Sequence, residues 1–181
     1  MASYGTGSAT KQVFATGLLE TSTTDTDIVG TLREDELGNK YRFVKNVDAT
    51  ALVQGQPVAW DSAANVGTAD YFSDVTLAVT AELPNMAGIC MTGIAISGGA
   101  HYGWVQVWGI AKNARVLTPA TGADDIEEGS ELIGANTGLN LVYQGNAGTA
   151  PIYASNFTAL EVVATATGAA VVNKDVFVRC L

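Results

Sequence analysis

This chain has a single histidine, His101, and so only one copy of the side chain that most often moves protons near neutral pH. It follows Gly98-Gly99-Ala100 in a turn, where an exposed imidazole needs no special reason. Only two cysteines are present, Cys90 and Cys180, both in apolar strand-like surroundings and far apart in sequence. They read as buried free thiols, and a disulfide would require their strands to be neighbours. One histidine and two cysteines at these spacings match no zinc ligand pattern. A Cys90–His101 nucleophile pair lacks any evident third group to orient the base. Phosphate-binding and nucleophile-elbow motifs are also missing: there is no Gly-x-x-x-x-Gly-Lys-Ser/Thr, no Gly-x-Ser-x-Gly, and no Gly-x-Gly-x-x-Gly after a strand.

Positive charge is scarce as well. Nine Lys and Arg stand against 18 Asp and Glu, giving a formal charge of −9. The cations are scattered, whereas phosphate neutralisation needs them clustered, so nucleic acid is not an expected partner. No window approaches about 20 apolar residues, so no membrane-spanning helix is expected. The start, Met-Ala-Ser-Tyr-Gly-Thr-Gly-Ser, has no basic flank followed by an apolar run and does not read as a signal peptide. The thiol usage fits a reducing cytoplasm. The acidic run Asp124-Asp125-Ile126-Glu127-Glu128 lacks the alternating ligand spacing of a calcium loop and reads as a solvated turn. No enzyme, cofactor or metal is expected.

What is present is apolar and glycine-turned. Hydrophobic residues make up 48% of 181, enough for one domain burying roughly 70% of its unfolded surface. Twenty glycines among short runs of Val, Thr and Ala favour many short strands joined by tight turns. The fold class expected is all-β, a compact barrel or sandwich of about eight to twelve strands spanning residues 31–181. Residues 1–30 differ: they are small, polar and threonine-rich, interrupted by Tyr4, Val13, Phe14, Leu18 and Leu19. They read as an extended arm, either frayed or ordered by laying those anchors on a neighbouring subunit.

Within the β domain, Tyr41–Asn46 alternates cleanly, with Tyr41 and Phe43 on one face, and Asp74–Thr80 alternates with Val75, Leu77 and Val79 inward. Gly55 marks a turn, and Pro57 belongs at the start or edge of the following strand. Leu52-x-x-Gly55-x-x-Val58 is echoed by Ile126-x-x-Gly129-x-x-Leu132, two glycine turns that each precede a strand re-entering the core. Leu139–Tyr143, Leu160–Thr167 and Val171–Arg179 supply the last strands. Between Tyr102 and Gly109, Trp104, Gln106 and Trp108 alternate with Val105 and Val107, with a glycine near each end. Trp60, Trp104 and Trp108 can fill a β core, form a protein contact or line a ligand face, and the residue types alone leave the three readings open.

The series Gly38-Asn39-Lys40-Tyr41-Arg42-Phe43-Val44, Leu52-Val53-Gln54-Gly55-Gln56-Pro57-Val58 and Tyr102-Gly103-Trp104-Val105-Gln106-Val107-Trp108-Gly109 resembles, in order and spacing, the capsid decoration (cement) proteins of tailed bacteriophages. The likeness covers residues 30–116 best. It implies a structural virion protein, made in the bacterial cytoplasm and carried on the capsid exterior. Such a protein would bind major capsid protein subunits, bridge them and stabilise the expanded head. It would also self-associate, a trimer ahead of a dimer. The contact set expected on this reading is Tyr4, Val13, Phe14, Leu18, Leu19, Trp60, Trp104 and Trp108. The alternative is a glycan- or host-surface-binding β module of a head fibre.

Overall fold

The alternation around Tyr41 becomes a strand because β-branched and aromatic residues fit a pleated, half-buried surface better than a helix. The computed structural model describes residues 14–61, 73–79, 85–95, 101–119, 123, 125–135, 137–138, 140–143, 156–168 and 170–180. Among these there are eleven strands and no α-helix. They are β1 (Leu32–Glu34), β2 (Lys40–Asn46), β3 (Pro57–Trp60), β4 (Asp74–Val79), β5 (Met86–Cys90), β6 (Tyr102–Leu117), β7 (Glu131–Gly134), β8 (Thr137–Gly138), β9 (Leu141–Tyr143), β10 (Phe157–Ala159) and β11 (Val171–Arg179). Pro57 opens β3, where its missing N–H costs no ladder bond. The fold is all-β, as the composition implied.

Five strands close a barrel. β2 pairs β4 in parallel, and β4–β3, β3–β5, β5–β6 and β6–β2 are antiparallel. A five-stranded ring is too narrow for many large side chains. Its interior is accordingly filled by Val44, Val58, Val75, Ala87, Cys90, Val105 and Val107, with Leu52, Trp60 and Ile94 completing it. β1 lies outside the ring, paired to β2, and β8 pairs only β4.

The other strands repeat this order on the far half of β6. β9–β7, β7–β10, β10–β11 and β11–β6 are antiparallel, and β9 returns to β6 through one parallel pairing, Val116 with Leu141. The last strand of the first ring is therefore the first strand of the second. The glycine echo is part of this repetition. Leu52 and Ile126 each form a two-way bridge, with Ile94 and Val163. Gly55 and Gly129 have φ +77 and +87 and donate to Cys90 and Ala159, each four residues before that bridge partner. What looked like repeated local geometry is one turn–strand unit used twice.

The two rings share a core. Ala59, Met86 and Ile89 turn outward from the first barrel and pack with Leu132, Leu141, Phe157, Val176 and Val178 of the second. All described residues of β3 and β5 are buried for that reason.

Two expectations are corrected. Gly109 does not end its strand: β6 runs on for 16 residues, with Gly109 at φ +97 and a bulge around Asn113, φ +62. The bulge lets β6 bend from one ring into the next, which is how bulges serve barrels generally. Leu160–Thr167 is not a strand. After β10 the chain turns away and meets its neighbours at isolated residues: Val163 pairs with Ile126, and Ala166 N–H donates to the Pro119 carbonyl at 3.2 Å. Tyr4, Val13 and the turn at 97–100 lie outside the described residues.

Candidate contact surface

The predicted contact residues separate sharply. Trp104 is 0% exposed and Trp60 5%. Trp60 completes the first barrel's interior, while Trp104 projects from its outer face beside Tyr41 and Phe43. That outer face is covered by the chain's own residues 14–29: Phe14, Leu18 and Val29 pack on it. Phe14 meets Trp104 edge-on at 5.5 Å, Trp104 Nε1 donates to the Thr16 carbonyl at 3.2 Å, and the Arg33 guanidinium lies over the Phe14 ring at 4.9 Å. The Asp27 carboxylate accepts from the Ala15 and Thr16 N–H groups at 2.7 and 2.8 Å, and Ser22 bridges to Tyr102. Burial removes Trp60 and Trp104 from the contact set. Phe14 and Leu18 rest on their own barrel, and Leu19 stays exposed.

Trp108 is different. Four residues further along β6 it stands 38% exposed, on a face the covering segment does not reach. Paired residues on adjacent strands project to the same side of a sheet. The register thus sets Arg179 on β11 beside Trp108 on β6. Beside it runs a second row of Ile110, Phe177, Thr158 and Glu131. Trp108 and Phe177 meet edge-on at 5.5 Å, and Ile110 is 47% exposed. Arg179 donates to the Thr158 hydroxyl at 3.1 Å, which holds the guanidinium on this face. The result is an aromatic centre with the Arg179 guanidinium beside it and Glu131 at the far end of the second row.

The Asp35–Asn39 turn braces this face from below. The Asp35 carboxylate accepts from the backbone of Leu37 and Asn39, from the Asn39 amide at 2.8 Å and from the Tyr41 hydroxyl at 2.9 Å. Asn39 Oδ1 in turn accepts from Ile110 N–H at 2.9 Å, close to Gly109, where a side chain would collide with Asn39. Burial would raise the Asp35 carboxyl, but the hydrogen bonds from Asn39, Tyr41 and the backbone outweigh it and hold the pKa below its ordinary value. Burial, with the Asp35 charge beside it, pushes the Tyr41 hydroxyl up to about 12. A carboxyl depressed in the fold stabilises it above the ordinary carboxylate range, and that contribution is lost as pH falls through the folded value. Asp35→Asn should therefore melt below wild type at pH 7, with the gap closing under about pH 3. Equal gaps at both pH values would show that Asp35 adds no charge-dependent stability.

Nothing in the Cys90–His101 pair favours nucleophilic chemistry. The Cys90 thiol is buried, donates to the Thr92 carbonyl at 2.7 Å, and is pushed by burial up to about 12. Burial likewise raises Cys180, whose side chain packs against the second core. Both cysteines are free. No cluster of three His, Cys, Asp or Glu suited to a metal is found among the described residues. The chain matches no protein-family model, and no curated protein is similar to it.

The sequence singled out Trp108 but not its companions. Phe177 follows from the alternation of Val171–Arg179. Its meeting with Trp108 depends on β11 pairing with β6 across more than 60 residues of chain, for which no local signal exists.

Proposed function

We propose that this chain is a structural virion protein that binds the outer surface of a tailed-phage capsid and stabilises the expanded head by bridging major capsid protein subunits. The observation that carries the reading is where the resembling motifs fall. Tyr41–Asn46 and Tyr102–Gly109 are adjoining walls of the first ring, and Leu52–Val58 is the turn that enters its core. The series ends beside Trp108, which the frame leaves 38% exposed. A double barrel joined through one long strand and a shared core suits a load-bearing clamp. Aromatic and arginine side chains are what protein contacts use as anchors.

The test is to add the purified chain to expanded heads that lack it. Saturable binding, with DNA retained to a higher temperature, is expected. Heads that neither bind it nor gain heat resistance would refute the reading. Retention on a glycan array that disappears in Trp108→Ala would instead favour the host- or glycan-binding module, for which an exposed tryptophan is the usual stacking platform.

A further inference from the structure

We infer that residues 14–27 of the covering segment are a strap that lifts from the first ring as one unit, hinged at Ile28, so that the aromatic face of Tyr41, Phe43 and Trp104 is gated rather than sealed. The hinge residue carries the first observation. Ile28 is β-branched and yet has φ +60, a left-handed conformation that such residues almost never adopt. Its side chain is 70% exposed and belongs to none of the hydrophobic cores, so no packing offsets the strain. Backbone strain of this kind persists only where the surrounding structure imposes it, and it gathers at clamps and switches.

The surroundings of Ile28 impose it from both sides. Downstream, the chain is fixed to β2: Gly30 N–H donates to the Phe43 carbonyl at 2.8 Å, and Phe43 N–H donates to the Thr31 carbonyl at 2.9 Å. Upstream, the strap is tied to itself. Asp27 holds the Ala15 and Thr16 N–H groups, the Thr16 and Thr26 hydroxyls meet at 2.8 Å, and Glu20 accepts from Gly17 N–H at 2.9 Å. Two bonds cross between these blocks and hold the left-handed turn. Asp25 accepts from Val29 N–H at 2.7 Å, and Thr31 N–H donates to the Ile28 carbonyl at 3.1 Å. The strap reaches the ring through the two-way Ser22–Tyr102 pair, the Trp104 indole on the Thr16 carbonyl, and the side chains of Phe14 and Leu18. A segment closed on itself and held lightly to what it covers opens before the whole fold does. Swinging about Ile28 frees the left-handed turn, so the strain favours the lifted state, in which Phe14 and Leu18 leave Trp104 and Phe43 open to solvent.

Hydrogen exchange followed by NMR on the full chain tests the strap. Ser22 N–H, Tyr102 N–H and the Trp104 indole N–H are bonded across the boundary between strap and ring, whereas Cys90 and Arg115 N–H bond to Gln56 and Gly55 inside the frame. The first three should share one protection, about a hundredfold or more below that of Cys90 and Arg115. Ile28→Asn and Ile28→Gly suit left-handed backbone, so lifting no longer releases strain and the three should exchange about tenfold more slowly. Ile28→Ala keeps the Cβ and with it most of the strain, and should change them by no more than about twofold. If the three exchange no faster than Cys90 and Arg115, the strap does not lift on its own. If Ile28→Asn fails to slow them, or Ile28→Ala slows them as much, the hinge is not strained at Ile28. Either result overturns the inference, and neither bears on binding to heads.

Discussion

Gly55→Ala should destabilise the chain by about 3–4 kcal/mol, whereas Gly129→Ala, at the twin position of the repeated turn, should cost about 1–2 kcal/mol. Both glycines sit in left-handed backbone, φ +77 and +87, so a methyl group strains either one. Their surroundings differ. A Cβ on Gly129 would enter open space, while one on Gly55 would collide with the Asn113 carbonyl and press on the Arg115 side chain. Gly55 also accepts from Arg115 N–H at 2.8 Å. Its turn is thus wedged against the bulge where β6 passes from one ring to the other. The Asn113 carbonyl cannot retreat without opening that bulge. For a chain this size a difference of about 2 kcal/mol corresponds to roughly 4–8 °C in melting temperature, which calorimetry resolves easily. Equal losses at the two positions would mean that the junction yields, and that the rings are not rigidly joined through β6.

The same pair shows how far the sequence could be read. Apolar-x-x-Gly-x-x-apolar is a local signal, because a turn needing positive φ and two flanking core residues leaves its mark within seven positions. Pro57, the Tyr41 alternation and the all-β class were legible on the same ground. The doubled ring was not. It is defined by β2–β4 and β6–β9 parallel pairings and by β11 returning to β6, and none of these is encoded between neighbours in the chain. Gly109 misled because a glycine at positive φ can end a strand or bend it, and only the Asn39 side chain lodged beside it decides which. Leu160–Thr167 misled for the opposite reason. Its β-branched residues satisfy strand propensity, yet the segment finds only isolated pairings, at Val163 and Ala166, and no continuous partner. Propensity describes fit to a pleated surface, and a partner strand must still be there.

The tryptophans were equivalent in the sequence, and their substitution should show that they are not. Trp104→Ala should cost about 3–5 kcal/mol, the range for removing a large buried aromatic. Trp108→Ala should cost no more than about 1 kcal/mol. Trp104 is enclosed by Phe43 below and Phe14 above, and its indole N–H holds the Thr16 carbonyl. Removing it leaves a cavity and frees the segment 14–29 from its main anchor. Beyond the lower melting point, that segment should become open to proteolysis at Leu18–Leu19 before the barrels unfold. Trp108 touches mainly Phe177 and already meets solvent. Acrylamide quenching should accordingly reach one tryptophan, Trp108, in the isolated folded subunit while Trp60 and Trp104 stay protected. If Trp104→Ala melted with wild type, the covering segment would not be part of the core, and the first ring's outer face would have to be reckoned a contact surface after all. If Trp108→Ala were the costlier change, the aromatic centre of the open face would be serving the fold rather than a partner.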